Sequence, residues 1–389
     1  MVDAIISRRL GFVVPSFDKG GLEQVVYNLF KAAQEAGHDV TLFVEAGNKG
    51  EFASCLNEED IVFLNGDRQL FFRELMARRI QALHFNYSVF CLEEAQQLGI
   101  GCVYCIHNIY TWLDDPSFEV RAKQMACADH LVAVSSFVAN YVQERSGIPA
   151  EFIQAIPNGI AVDQIDAIKA STKPLDGVPS QTFVFGMLAS FHRVKMQKSL
   201  IGAAEQLQRE GLAFSIALLG NVGDPEFYAE FEQALSLSSA KDHFAVLGHV
   251  PHEDAIAHLK GAIDCALLTT LQEGASNTSL EAIACGVPLI LTNTGFADEL
   301  ADNFPDLATV IPAHLHWSEI TPQSTIDMSQ KTELPNQSEL VMAMRTAIEK
   351  HDNDLQSRLK RHTPNRFDFT VEKMADQHLA LLEKTVKLT

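Results

Sequence analysis

The chain has 389 residues, 47% hydrophobic and 21% charged, an ordinary soluble composition at a length that one core rarely fills, so two domains are expected. Thirty basic against fifty acidic residues give a formal charge of −20, which argues against sequence-independent nucleic-acid binding, since that needs basic surface. No apolar run reaches the ~18–20 residues of a bilayer span. The N-terminal MVDAIISRRLGFVVPSF lacks a long apolar region and a small-residue cleavage site, so no signal peptide is expected.

The first half alternates strand and helix patterns, which predicts a parallel sheet covered on both faces. Strands are predicted at 10–17, 38–44, 61–64, 81–85, 101–106, 131–135 and 152–156. After the first comes the turn Ser16-Phe17-Asp18-Lys19-Gly20-Gly21. Leu22, Val25, Val26, Leu29, Phe30 and Ala33 then recur at helical spacing up to a cap at Gly37. Bare glycines at a helix start, here Gly20 and Gly21, let a ligand approach the backbone and offer N–H donors. Arg68, Arg73, Arg78 and Arg79 lie among Leu70, Phe71, Phe72, Leu75 and Met76, a basic amphipathic helix that either covers the sheet or rests on anionic lipid. His84 and Asn86 close one strand, and His107 and Asn108 follow the end of the next, the edge where sites form in such sheets. Seven cysteines are scattered, and Cys102-Val103-Tyr104-Cys105 sits in a strand-like run, so core packing in a reducing cytosol is expected.

Residues 166–181 are polar and hold Pro174, Gly177 and Pro179, which reads as a linker between domains 1–165 and 182–365. The second half restarts the alternation, with strands predicted at 183–188, 214–219, 244–247, 265–269, 288–292 and 307–311. Residues 314–337 form a long polar stretch expected to be a mobile insertion, and 366–389 form a terminal helix.

From Ala266 to Glu299 the chain reads ALLTTLQEGASNTSLEAIACGVPLILTNTGFADE. A strand-forming run ends in a polar loop with Glu273, a short helix with Glu281 follows, and Gly286-Val287-Pro288 opens another buried strand. Asn277 and Thr278 fall at the helix start, where unpaired N–H groups and the positive dipole end suit an anion. Thr278-Ser279-Leu280-Glu281 also fits a capping box, in which the glutamate serves only an orphan donor.

Glu273, Gly274, Glu281-Ala282, Cys285-Gly286-Val287-Pro288 and Thr294-Gly295 together resemble the signature of retaining glycosyltransferase family 4. GGLEQVVYNLFKAAQEAGHDVTL is similar to that family's N-terminal signature, and Pro157-Asn158-Gly159 to its turn out of the first domain. The usual aspartate two places after that glycine is missing, and Asp163 comes two places late. The resemblance spans about residues 10–300. It implies an α/β chain of the GT-B fold: two Rossmann-like, doubly wound parallel-sheet domains facing a cleft, with the terminal helix crossing back to the first. The first domain would bind the acceptor and the second a nucleotide-diphosphate sugar.

Residue by residue, the resemblance assigns Glu281 to the ribose hydroxyls and Glu273 to the sugar beside the leaving phosphate. Lys195 matches the family's phosphate-binding lysine. Ser190 stands where an arginine is usual, with Arg193 as a candidate substitute. His107 falls at the transferred sugar, its ring a donor to a hydroxyl or to developing charge. Gly20 and Gly21 would face the donor phosphates, Leu247-Gly248-His249-Val250 would hold the base through backbone groups, and His84, Asn86 and Asn108 would line the acceptor side. The implied donor is a UDP-, GDP- or ADP-sugar, with no cofactor. No catalytic metal is expected, since the one Asp-x-Asp, Asp352-Asn353-Asp354, lies in the charged tail. The acceptor would be a carbohydrate or lipid-linked molecule, with peripheral contact at the inner membrane face through the basic helix. Two alternatives stand beside this reading: another GT-B enzyme, an epimerase or phosphorylase, and a non-catalytic nucleotide-sugar-binding protein, suggested by Ser190. Base, sugar, acceptor, linkage and oligomeric state are not legible.

Overall fold

The computed structural model describes residues 7–18, 20–47, 50–179, 182–350 and 355–387. Lys19 and the Asp352–Asp354 motif lie outside them. The chain forms two compact units: unit 1 is Met1–Gly159 with Asp368–Thr389, and unit 2 is Ile160–Phe367.

Unit 1 holds a seven-stranded sheet of β1 (Arg9–Val14), β2 (Asp39–Val44), β3 (Ile61–Phe63), β4 (Ala82–Asn86), β5 (Gly101–Ile106), β6 (His130–Ala133) and β7 (Ile153–Ala155). The order is β3-β2-β1-β4-β5-β6-β7, with every pair parallel. Central strands read as unbroken apolar runs because helices cover both faces. The helix Gly21–Glu35 buries Val25, Val26, Leu29, Phe30 and Ala33 and ends before Gly37, whose φ of 86° suits a left-handed cap.

The terminal helix Val371–Thr385 packs against Gly21–Glu35, β4 and β5 and buries Met374, His378, Leu379, Leu381 and Leu382. Two glycines make room for it. A Cβ on Gly159 would stand 2.1 Å from Thr370 O, and one on Gly101 2.3 Å from Thr385 Oγ1. The Pro-Asn-Gly turn is therefore the seat on which the returning chain lands. In the basic helix, Arg68–Ala77, Phe71 and Leu75 face the core, Arg68 pairs with Glu94, and Arg78 bonds Glu74, Thr41 and the Glu59 carbonyl. Cys102 and Cys105 are buried free thiols, and burial pushes Cys102 up to about 12.

Unit 2 holds β8 (Phe183–Leu188), β9 (Phe214–Leu219), β10 (Phe244–Gly248), β11 (Cys265–Leu268), β12 (Leu289–Thr292) and β13 (Ala308–Ile311), in the order β10-β9-β8-β11-β12-β13, all parallel. Phe183, Phe185, Leu207, Phe214, Ile216, Phe231 and Met344 belong to its core. At the amino end of β11, fully buried Asp264 accepts from Arg358 Nε at 2.6 Å, Arg358 Nη2 at 2.7 Å and Val184 N at 2.8 Å.

Two expectations need correction. The chain divides at Gly159–Ile160, and much of the proposed linker is part of unit 2: Ser171 N bonds Ala257 O, and a Cβ on Gly261 would stand 1.9 Å from Ser171 O. The polar stretch 314–337 is built into the unit as the turn Trp317–Glu319 and the helix Pro322–Ser329. Buried His314 anchors it, bonding Thr269 O and Asn336 Oδ1, each at 2.9 Å. Polar composition misled here because a few apolar side chains, Ile320, Met328 and Leu334, are buried beside a polar network around His314 and Asn336.

Candidate active site

In an open parallel sheet, ligands bind beyond the carboxyl ends of the strands where the order reverses direction. In unit 2 that point lies between β8 and β11. The loops leaving these two strands carry Lys195 and Glu273, and Lys195 Nζ stands 2.5 Å from Glu273 Oε2 with 22% and 14% of the side chains exposed.

Several local contacts hold that pair. The β8 loop ends in the tight turn Arg193–Lys195, closed by Met196 at φ 55°, a strained backbone for a residue with a side chain. Val194 O accepts from Leu271 N at 2.7 Å and Thr270 Oγ1 at 2.8 Å, which lashes the β8 loop to the β11 loop. Glu273 Oε1 accepts from Gly274 N at 3.1 Å. Thr294 Oγ1 accepts from Glu273 N at 3.3 Å, and a Cβ on Gly295 would stand 2.6 Å from Gly274 O. The Thr-Gly pair thus acts by bracing the loop that presents Glu273.

The helix Asn277–Ala284 starts just after this loop, with Asn277 and Thr278 in its first turn. Its N-cap is Ser276, whose Oγ accepts from Ser279 N at 3.3 Å. This overturns the capping-box reading: Thr278 lies inside the helix and Glu281 a turn further in. Glu281 Oε1 instead lies 2.8 Å from His252 Nε2 at the start of the helix His252–Gly261, and its Oε2 has no partner among the described residues. Val250, partly exposed, precedes His252 by two positions in the loop after β10. The part of His252 was missed because nothing local marks a contact between residues 29 positions apart.

Arg193, the candidate substitute for the arginine absent at position 190, is engaged with acidic side chains. Its guanidinium lies 3.2 Å from Asp224, 3.0 Å from Glu226 and 2.9 Å from Glu230, and donates to Ser329 Oγ at 3.2 Å. Burial opposes its charge, but those carboxylates outweigh it and raise its pKa. These three carboxylates engage Arg193 and fasten the β8 loop to the helix Pro225–Leu237.

In unit 1 the strand order reverses between β1 and β4. Gly20 and Gly21 start the helix beyond β1, as expected, with the acidic side chains of Glu23 and Asp18 nearby. A Cβ on Gly20 would stand 2.5 Å from Glu23 Oε2, and burial, with Asp18 nearby, raises the pKa of Glu23. His84, expected on the acceptor side, is wholly buried. Its Nε2 meets His378 Nδ1 of the terminal helix at 2.9 Å, and burial, then His378 and His107, drive its pKa well down. Asn86 is also buried and donates from Nδ2 to His84 O at 3.2 Å. That bond orients its amide, so Asn86 Oδ1, 3.0 Å from His107 Nε2, is an acceptor and His107 carries its proton on Nε2. Burial, with His378 nearby, pushes His107 down to about 3, so the ring is neutral. Its free nitrogen, Nδ1, accepts and does not donate, which reverses the expected role. Asn108 Oδ1 accepts from Ile109 N at 2.8 Å and shapes the loop after β5. Among the described residues, no three His, Cys, Asp or Glu side chains gather as a metal-ligand set, and no helix is long and apolar enough to cross a membrane.

Two parallel-sheet units, each with candidate residues at its switch point, are the framework of a GT-B glycosyltransferase. The chain matches Glycosyltransferase Family 4 over residues 19–164 and the Glycosyl transferases group 1 family over 171–314, together most of its length, and it is a family-4-like glycosyltransferase. It is 22% identical to EpsF of Bacillus subtilis (strain 168) over 316 residues, 74% of this chain and 79% of EpsF. It is 22% identical to the 2-deoxystreptamine glucosyltransferase of Streptomyces kanamyceticus over 239 residues, 60% of this chain and 59% of that protein. Among solved structures, HepE of Anabaena in complex with UDP superposes with a TM-score of 0.72 at 17% identity, covering 97% of this chain and 100% of HepE. HepE has also been crystallised with UDP-glucose.

Proposed function

We propose that this glycosyltransferase takes its sugar from a nucleotide-diphosphate sugar held on unit 2, delivers it to a hydroxyl held on unit 1, and retains the anomeric configuration. The observation that carries the reading is the Lys195–Glu273 pair at the β8/β11 switch point, with Glu281 on the helix that follows. Departure of the sugar leaves an extra negative charge on the diphosphate, and Lys195 is placed to compensate it. Aiming a fixed cation where charge develops is the strongest single lever such a site has. The diphosphate competes with Glu273 for Lys195, so donor binding exchanges one anion for another and frees Glu273 to accept from sugar hydroxyls. Glu281 Oε2 accepts from the ribose, and the backbone near Val250 meets the base.

Retention follows a front-face course: the departing phosphate oxygen takes the acceptor hydroxyl's proton while that hydroxyl attacks the same face. His107, neutral and with Nδ1 as acceptor, steers a hydroxyl and does not protonate the leaving group. No step uses a metal. The HepE complexes favour a uridine nucleotide among the UDP-, GDP- and ADP-sugars. The resemblance favours a carbohydrate or lipid-linked acceptor, in surface polysaccharide or glycolipid synthesis.

A thermal-shift panel of UDP-, GDP- and ADP-sugars ranks the donors, since a ligand raises apparent stability according to its affinity. Turnover of the best donor, with the product anomer read by NMR and the rate measured in excess EDTA, tests the rest. An inverted product, or loss of rate on chelation, would refute the corresponding part.

A further inference from the structure

The loops leaving β4 and β5 bring together a group of aromatic side chains that the donor chemistry does not use. Tyr87, directly after β4, adopts φ 58°, a left-handed backbone that a bulky residue holds only when its surroundings impose it. Arg121 Nη1 imposes it by donating to Tyr87 O at 2.7 Å, with Tyr104 OH on the same carbonyl at 3.3 Å. The ring so placed lies 5.5 Å from His107, 5.6 Å from Tyr110 and 6.0 Å from Trp112, centroid to centroid. Tyr110 is buried, with its N–H on Tyr141 OH at 3.0 Å, and forms the floor. Trp112 lies 5.1 Å from Tyr110, yet 49% of it is exposed.

We infer that Tyr87, Tyr110 and Trp112, with His107 at one end, form the acceptor platform of unit 1, and that its occupant is a pyranose ring. This rests on the glycosyltransferase reading and narrows it from any hydroxyl acceptor to a carbohydrate. A half-exposed indole costs free energy unless something covers it, and a sugar offers an apolar C–H face to an aromatic ring while its hydroxyls point outward. The polar atoms at the edge fit that rim. The indole N–H has no partner among the described residues and can donate. His107 Nδ1 can accept a hydrogen bond from a sugar hydroxyl, its other nitrogen being committed to Asn86. The geometry disfavours a nucleobase: Trp112 is inclined 55° to Tyr87 and 51° to Tyr110, so no parallel slot exists, whereas a puckered ring fits an open corner. Holding the acceptor against rigid rings also fixes its orientation, which matters more to a transferase than affinity.

The chain has two tryptophans, Trp112 and Trp317, so Trp317→Phe leaves Trp112 as the sole indole reporter. This variant is titrated with methyl hexopyranosides, methyl N-acetylhexosaminides and, separately, uridine. The inference expects a saturable change in emission with at least one pyranoside. Calorimetry with that pyranoside expects about a tenfold loss in Trp112→Ala, equivalent to about 1.4 kcal/mol, and a smaller loss in Trp112→Phe, which keeps an aromatic face but lacks the N–H. Silence of Trp112 toward every pyranoside overturns it, as does pyranoside binding that survives Trp112→Ala, or a response to uridine alone. Calorimetry of UDP on the same proteins reads unit 2 separately. Failure there sinks the donor assignment and leaves the platform standing.

Discussion

Around the switch point of unit 1 the buried polar side chains are neutral: His378 meets His84, Asn86 reads the His84 carbonyl, and Asn86 orients His107. In unit 2 the β8 loop is held by ion pairs, Lys195 on Glu273 and Arg193 on Asp224, Glu226 and Glu230, and a buried pair, Asp264 on Arg358, lies at the opposite, amino end of β11. One sheet topology supports both because the loops, not the strands, choose the side chains. Neutral groups kept dry suit a ligand that offers hydroxyls. Charges buried in pairs are stable only while each has a partner, and a pair at a ligand site can exchange that partner for an incoming phosphate. The comparison therefore predicts where charge matters and where protonation does.

The largest effect falls on the pair that has no ligand to exchange. Asp264→Ala leaves Arg358 without its carboxylate and should destabilise unit 2 by about 3–5 kcal/mol, seen as an early transition in urea unfolding; an unchanged midpoint would show the pair to be dispensable. Lys195→Ala should lower kcat by about 10²–10³-fold, the loss typical of one donor aimed at developing charge, with a smaller loss of stability than Asp264→Ala because Glu273 keeps some exposure to water. Glu281→Ala should weaken UDP binding by about ten- to a hundred-fold, as one charged hydrogen bond contributes about 1.5–3 kcal/mol. An equal loss for a nucleobase-only ligand would argue against the ribose assignment.

Unit 1 should respond to acid. Burial, with its histidine neighbours, lowers the pKa of His84; burial, with His378, takes His107 to about 3; burial takes His378 to about 4. The unfolded chain binds protons at ordinary histidine pKa values near 6.5, before the folded one does. Stability is therefore untouched above that pH and falls as pH drops toward the folded values, by up to about 1.4 kcal/mol per pH unit for each histidine. His378→Leu should flatten the slope of unfolding free energy between pH 6.5 and 5, and an unaltered slope would contradict the assignment. The smallest effect belongs to Arg193→Met, which should cut kcat far less than Lys195→Ala because its guanidinium is already engaged by three carboxylates.

The thirteen strands and the fold were legible in the sequence, as was the ending of β8 and β11 in loops that carry Lys195 and Glu273. A strand buried on both faces writes itself as a short apolar run, and glycines and prolines punctuate it. The N-cap at Ser276 was displaced by two residues because Ser-Asn-Thr offers three competent caps in succession. The partners of Arg193, Glu281 and His84 were not legible, since each is brought in by tertiary packing: His84 and His378 are 294 positions apart. Trp112 and Tyr87 carry no motif, and their meaning depends on a backbone angle and an exposure.

The central claim is that Lys195 leaves Glu273 for the diphosphate while Glu281 takes the ribose. A crystal structure of the protein with UDP tests it most directly. The account predicts a β-phosphate oxygen within hydrogen-bond distance of Lys195 Nζ and a ribose hydroxyl on Glu281; UDP bound elsewhere, or seated there with the Lys195–Glu273 contact intact and no phosphate on Nζ, would contradict it.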